Sequence, residues 1–426
     1  MNTEDEIFSY CLQFRDLEKV SHDTREYKLD RVKELLALAK HPELTFKTVH
    51  IAGSKGKGST TAYLTHLFAA HPYRVGMYSS PHVFHWKERI QVWEGKKKLD
   101  IKTHLSNAFQ YTKYCVSQLK DDRPSTFEIL TLLAFITFRE ASCTWGMIEV
   151  GLGGRLDASN LIHPCYTIIT SIELEHQKHL GNTIKHITQE KAGIIKSHVP
   201  IVIPSLAKIA HTVIKKTAQS HAAPLHYLSK YVRWHTDGIS TRYSIIYKKY
   251  RKIIHSKLLM WGKYQIVNAG LALCIYLLEH KHIPAHVDCV LANTSLPGRS
   301  QLIPRTPALL LDGAHTPASI EEICKIFLKN FQKRGTLIIG LTKGKNIQAI
   351  AQSVRKFFSH VIISTAGADK PESPDLIAAF FQKENIKTEV YPRISHAINV
   401  AQSYRKPILI TGSFHLIGAI PRTLLH

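Results

Sequence analysis

Residues Gly53 to Thr60 read Gly-Ser-Lys-Gly-Lys-Gly-Ser-Thr, between an apolar, strand-like run (Phe46 to Ile51) and a helix-like run (Ala62 to Ala70). Strand, glycine turn and helix in this order read as the opening of an α/β unit. The glycines let the backbone turn tightly, so that consecutive amides face one anion, and the helix N-terminus adds the positive end of its dipole. Lys57 then supplies a charge for a transferring phosphate. In the common P-loop the lysine follows a second glycine five residues after the first. Here Lys57 follows Gly56, three residues after Gly53, and Gly58 comes after it.

The same grammar continues. Thr48 to Ile51, Val75 to Tyr78, Met147 to Val150, Tyr166 to Ser171 and Val199 to Ile203 are short β-branched runs separated by helix-like segments, which predicts a mostly parallel sheet with crossover helices. Residues 225 to 260 alternate aromatic and basic side chains around Asp237-Gly238, predicting antiparallel hairpins appended to that sheet. A helix is expected from Tyr264 to His280. Asn293 to Gly298 has the polar, turn-rich composition of a connection. Alternation then restarts, with strands at Ala308 to Leu311, Thr336 to Leu341, Val361 to Ser364, Thr388 to Tyr391 and Ile408 to Thr411. The expectation is an α/β chain of two domains: an N-terminal P-loop ATPase domain over residues 1–294 and a smaller, C-terminal Rossmann-like domain over 295–426. The second has no GxGxxG, so no dinucleotide site is indicated.

Composition narrows the class. The longest apolar stretches, such as Leu130 to Phe138, are too short to span a bilayer, and the first six residues are acidic where a signal peptide is basic. A cytosolic protein is expected. Seven scattered cysteines without a CxxC pair fit reduced thiols better than disulfides or zinc. The net charge of +23 suits nucleic acid, a polyanionic small substrate or simply a basic host proteome, so charge alone decides nothing. The basic runs Lys96 to Lys98 and Lys248 to Lys252 are short and scattered, which argues against nucleic-acid binding.

Polar clusters fall where open α/β sheets place ligands, at the carboxyl ends of strands. Ser79-Ser80-Pro81-His82 follows one strand, Glu149 ends another before Gly151 to Asp157, and Glu173-Leu174-Glu175-His176 follows a third. Ser80, Glu149 and His176 are credible Mg²⁺ ligands beside a phosphate loop, although imidazole is an unusual donor for so hard an ion.

These motifs resemble those of the folylpolyglutamate synthase/dihydrofolate synthase family, within the Mur ligase superfamily of ATP-dependent amide-forming enzymes. The resemblance rests on His50 to Thr60, Ser79 to His82, Phe127-Glu128, Glu149 to Asn160, Glu190 to Ile194, Pro297 to Arg299 and Leu311 to His315, in family order. It implies catalysis between two domains, with ATP held by Gly53, Ser54, Lys55, Gly56, Lys57, Gly58, Ser59 and Thr60 together with Asn268, Arg299, Asp312 and His315. Lys57, Glu149, His176 and Lys191 are the implied catalytic residues. Two Mg²⁺ ions are implied, on Ser80, Glu149 and His176, and on Lys191 if it is carbamylated. Ser125, Leu156, Asp157 and Ala158 are the implied contacts to a pterin acceptor, either dihydropteroate or a folate, with L-glutamate as the amine. A monomer acting on small molecules, without nucleic acid or membrane, is the implied organisation. Glu128 is left between a helix cap and an orienting carboxylate.

The chain also departs from the family pattern. Ser54-Lys55 replaces Thr-Asn, Glu175 replaces an aspartate, Thr316 replaces an asparagine, and Thr342 to Asn346 lacks a Lys-Asp pair. Two rival readings are a cell-wall Mur ligase and a basic P-loop ATPase that binds nucleic acid, with Glu149 activating water. The 52 residues before Gly53 are too few for the uridine-binding domain expected of the first. The two-domain layout and the variant loop weigh against the second.

Overall fold

The computed structural model describes residues 4–14, 29–119, 123–236, 241–247, 250–282, 286–332, 335–367 and 370–425. The turn expected at Asp237-Gly238 and the pair Lys248-Lys249 lie outside them.

The first sheet has eight strands: β1 (Lys47–Ala52), β2 (Val75–Tyr78), β3 (Ile90–Glu94), β4 (Lys97–Lys98), β5 (Trp145–Glu149), β6 (Tyr166–Ile169), β7 (Ile201–Ile203) and β8 (Leu225–Tyr227). Their order is β4-β3-β2-β5-β1-β6-β7-β8. From β2 to β8 every pairing is parallel, and the β3–β4 hairpin adds an antiparallel edge that carries Lys97 and Lys98. The central strands are buried on both faces, which is why they read as unbroken apolar runs.

Helices cover both faces. The helix Lys57–Ala69 is buried on nearly every side because the sheet lies under it and the helix Lys263–His280 lies over it. On the opposite face Thr126–Glu140 is equally enclosed, packing Ile129, Leu133 and Phe135 among the helices Glu4–Leu12, Leu29–Leu38 and Lys102–Ser117. Each fully buried Leu or Phe in these layers contributes about 1.5–3 kcal/mol.

Residues 225 to 260 differ from expectation. Leu225–Tyr227 joins the main sheet as a parallel edge strand, while β9 (Val232–Thr236), β10 (Thr241–Tyr247) and β11 (Tyr250–Ser256) form a separate antiparallel sheet. The reason is packing. Val232, Tyr243, Ile245 and Ile254 turn one face of this small sheet onto the helix Lys263–His280, so it adds to the core instead of extending the hydrogen-bond ladder.

A third sheet follows: β12 (Gln301–Ile303), β13 (Leu309–Asp312), β14 (Thr336–Ile339), β15 (His360–Ile363), β16 (Lys387–Val390) and β17 (Ile408–Thr411), in the order β12-β13-β17-β14-β15-β16. Only β12 is antiparallel. Helices on its two faces enclose separate cores around Ile323 and Phe327 and around Ile398 and Leu416. The α/β architecture with a second, smaller sheet is the one the alternation predicts. All seven cysteines are free thiols, five of them buried. No helix among the described residues is long and apolar enough to cross a membrane.

Candidate active site

The connection after β1 runs toward β2 and the one after β6 runs toward β7, away from each other, which opens a crevice at the carboxyl ends of these neighbours. The phosphate loop fills it. Ser54 N donates to the Ser171 carbonyl (2.9 Å), Lys55 N to Ser171 Oγ (2.8 Å), and Thr170 Oγ1 to the Lys55 carbonyl (2.6 Å). Gly53 packs directly on the Thr170 side chain, and Gly56, at φ +84°, packs on the Asn268 amide, so a Cβ at either position would collide. Gly56 is also the residue from which the helix Lys57–Ala69 starts. Its first amides, lacking partners within the helix, are those available to an anion.

Two ammonium groups converge on this loop. Lys57 Nζ and Lys191 Nζ both donate to the Gly53 carbonyl, each at 3.0 Å. Lys191, from the helix Ile184–Ala192, is buried and also pairs with Glu175 at 2.8 Å. Burial first, and the nearby Lys57 charge second, pull the Lys191 pKa down to about 8 despite Glu175.

Glu149, at the end of β5, lies across from them. Its Oε2 accepts the Ser80 amide at 3.2 Å and would stand 3.2 Å from a Cβ on Gly58. Desolvation lifts its pKa to about 7, opposed by Lys57, Arg299, the Ser80 bond and Arg89. Ser80 and Glu149 are thus together, as the sequence suggests. His176, at φ 44°, is exposed as a residue, although its ring is partly desolvated; that desolvation lowers its pKa, and Glu175 works against the shift.

Segments before and after β13 line the other side of the crevice. Arg299 stacks its guanidinium 4.3 Å from the centre of the Phe414 ring, and its charge reaches Glu149 and His315. Asp312 is buried, with Oδ2 accepting the Ser300 amide (2.8 Å) and Oδ1 the Ala314 amide (2.9 Å), so it fixes the backbone on both sides of Gly313. His315 Nδ1 meets the Gly313 carbonyl at 2.9 Å, and burial drives its pKa to about 4. Asn268 Nδ2 donates to Gln265 while its amide covers Gly56. Lys55 pairs with Glu173 at 2.9 Å and donates to Thr316 Oγ1 at 3.3 Å, reaching from the first sheet's loop to the third sheet's helix.

The residues expected to meet the acceptor are organised differently. Asp157 is buried and accepts the Leu152 amide (2.9 Å), the Ser159 amide (3.0 Å) and the Ser159 hydroxyl. His50 Nε2 contacts Ser159 Oγ at 2.9 Å. Ala158 is buried and Leu156 half-buried. Ser125 caps the helix Thr126–Glu140 by accepting the Glu128 amide, and Glu128 returns the bond to the Ser125 amide while taking Arg31 in a two-pronged ion pair. Glu128 is therefore the capping carboxylate. Sequence reasoning missed Phe414 under Arg299, the Thr170-Ser171 clamp and Arg31. Only the clamp had a signal, as hydroxyls ending a strand beside the phosphate loop.

Residues 51–276 match the model of the Mur ligase middle domain, and residues 299–423 match that of the dihydrofolate synthetase C-terminal domain. The chain is 31% identical to the dihydrofolate synthase/folylpolyglutamate synthase of Bacillus subtilis over 408 residues, covering 93% of this chain and 94% of that one. It is 29% identical to the dihydrofolate synthetase of Saccharomyces cerevisiae over 431 residues, 93% and 97% of the two chains. The crystal structure of the folylpolyglutamate synthase of Thermotoga maritima superposes with a TM-score of 0.83 at 26% identity, over 97% of this chain and 94% of that one. A middle-domain match over more than half of the chain, and 31% identity across nearly the full length of both proteins, mean that the chain belongs to the dihydrofolate synthase/folylpolyglutamate synthase family of Mur ligases.

Proposed function

We propose that the protein is an ATP-dependent ligase that joins L-glutamate to a pterin carboxylate through an acyl phosphate, with its site between residues 1–294 and 295–426. The observation that carries this reading is Glu149, buried at the end of β5 within the fields of Lys57 from the phosphate loop and Arg299 from beyond the connection. Cations from both parts of the chain face one point, as transfer of a γ-phosphoryl group requires.

Gly53 to Thr60 would bind the ATP phosphates, with Asn268, Arg299, Asp312 and His315 completing the nucleotide site. The acceptor carboxylate attacks the γ-phosphorus and ADP leaves. The neutral amine of glutamate then attacks the acyl phosphate, losing a proton as phosphate departs. Lys57 and Arg299 offset the charge on the transferring group, and closing of the crevice over the substrates would keep water off the acyl phosphate.

The donors present fit a hard cation: the Glu149 carboxylate stands beside Ser80 and, being buried, gains from a counter-charge. Ser80, Glu149 and His176 would hold Mg²⁺, which when bound neutralises phosphate charge. Lys191 suits carbamylation because the lowered pKa leaves a fraction of neutral amine near pH 8, able to add to CO₂ with release of one proton. The resulting anion would hold a second Mg²⁺.

Dihydropteroate is the acceptor we favour, supported by the match of residues 299–423 to the dihydrofolate synthetase C-terminal domain. The bifunctional name of the Bacillus subtilis relative supports folates as a second acceptor. We further propose a cytosolic enzyme that acts without nucleic acid, supported by the free thiols and scattered basic runs.

ADP release measured with each acceptor plus glutamate, and with single-stranded nucleic acid instead, tests the class. An acceptor labelled with ¹⁸O in its carboxylate should deliver one label to inorganic phosphate. Unlabelled phosphate, or stimulation by nucleic acid alone, overturns the proposal.

A further inference from the structure

The helix that begins at the phosphate loop and the helix that carries Asn268 end together, about 20 Å from Lys57 by the rise of a helix this long. Three histidines gather where they end. His71 follows Lys57–Ala69, His280 is the last residue of Lys263–His280, and Lys281, at φ 59°, reverses the chain and brings His282 beside it. One ring nitrogen from each lies within 4.8 Å of the other two.

We propose that His71, His280 and His282 bind a Zn²⁺-class transition-metal ion that clamps the carboxyl ends of these two helices. Three imidazoles select borderline cations over Mg²⁺ and leave a fourth position for water. Both helices direct the negative ends of their dipoles at this spot. His280 Nε2 is buried and has no hydrogen-bond partner among the described residues, a costly state that coordination relieves. The Tyr276 hydroxyl bonds His71 Nε2 and holds that ring, as outer-shell partners of metal ligands do. The rings of His71 and His280 stack in parallel, 4.6 Å apart, so the His280 ring must turn for both in-plane lone pairs to meet one ion. A tetrahedral site with nitrogens about 2.1 Å from the metal needs them about 3.4 Å from one another. His282, being exposed, can rotate to close that gap.

The test is a ZnSO₄ titration of metal-free protein against a chromophoric chelator, with MgADP saturating so that the nucleotide site is engaged. Wild type should take up one equivalent at micromolar affinity or better, and the affinity should fall at least tenfold in His282→Ala, which removes the exposed ligand and should leave the far-ultraviolet circular dichroism spectrum unchanged. Zn²⁺ should also raise the melting temperature of wild type and not that of His282→Ala. No uptake by wild type, or an affinity unchanged in His282→Ala, overturns the proposal.

Discussion

Two glycine-rich loops leave neighbouring strands of one sheet, and they treat their polar groups in opposite ways. After β1, the phosphate loop crowds Lys57 and Lys191 onto a single carbonyl, opposite a buried carboxylate whose pKa rises to about 7. After β5, the loop from Gly151 to Asn160 turns its groups inward: Asp157 takes three donors, Ser159 meets His50, and Asn160 Nδ2 bonds two carbonyls. The first stores electrostatic conflict, which under the proposed function a phosphate chain with its cation would resolve. The second has spent most of its polar groups on itself, and under the proposed function it would offer a ligand shape. A site that must move charge keeps its charged groups poorly paired, whereas a site that must hold a ring system spends its polar groups on rigidity.

The largest test of this contrast is Lys57→Ala. Removing the cation from the conflicted loop should lower kcat by about 10³-fold or more with either acceptor while leaving the melting curve near wild type. Retained turnover would end the phosphate role. In the settled loop the opposite pattern is expected. Asp157→Ala leaves three donors without an acceptor, at about 1–3 kcal/mol each where burial persists, so the melting temperature should drop and both acceptors should suffer. The sequence alone invites a narrower outcome, loss of dihydropteroate use with folate use kept. Selective loss at an unchanged melting temperature would restore direct contact between Asp157 and the pterin.

A pH experiment sharpens the comparison at intermediate size. Glu149 has a folded pKa of about 7 against 4.5 for an ordinary glutamate. Between those values the folded chain retains a proton that the unfolded chain has released, so stability without ligands declines as pH rises through this window. Glu149→Gln has nothing to ionise. Its stability relative to wild type, read from denaturant unfolding, should therefore increase from pH 5 to pH 7.5. A flat difference would mean that Glu149 is not desolvated.

The difference between the loops also explains what was legible. The phosphate loop announces itself because glycines, a lysine and a helix start are neighbours in the chain, and Ser80 and Glu149 because strand ends are visible in the β-branched runs. The inward turn of Asp157 is not a property of any window, since the sequence is the same whether the carboxylate faces a ligand or the Leu152 amide. Likewise the β9–β11 sheet reads correctly as hairpins but not as a separate layer, because its partner is a helix that begins seven residues after β11. Arg299 is carried by its motif, while the ring beneath it, Phe414, lies far along the chain.

Lys55 and Thr316 give the smallest and most discriminating case. Both depart from the family pattern, and they touch each other, although 261 positions separate them. Lys55 is 38% exposed and its Glu173 partner 50%, so each contact is worth only about 0.2–1 kcal/mol. Thr316 also caps the helix Pro317–Phe331 through Ser319, which makes alanine a poor probe because it removes the cap as well. Asparagine at both positions keeps the cap and restores the family residues. Lys55→Asn and Thr316→Asn should each change kcat/KM for ATP by less than about fivefold, and the double variant should fall short of their product by the coupling of the lost bond. Such non-additivity would make the two departures one adjustment across the crevice, whereas strict additivity would leave Lys55 to Glu173 alone and Thr316 to its helix.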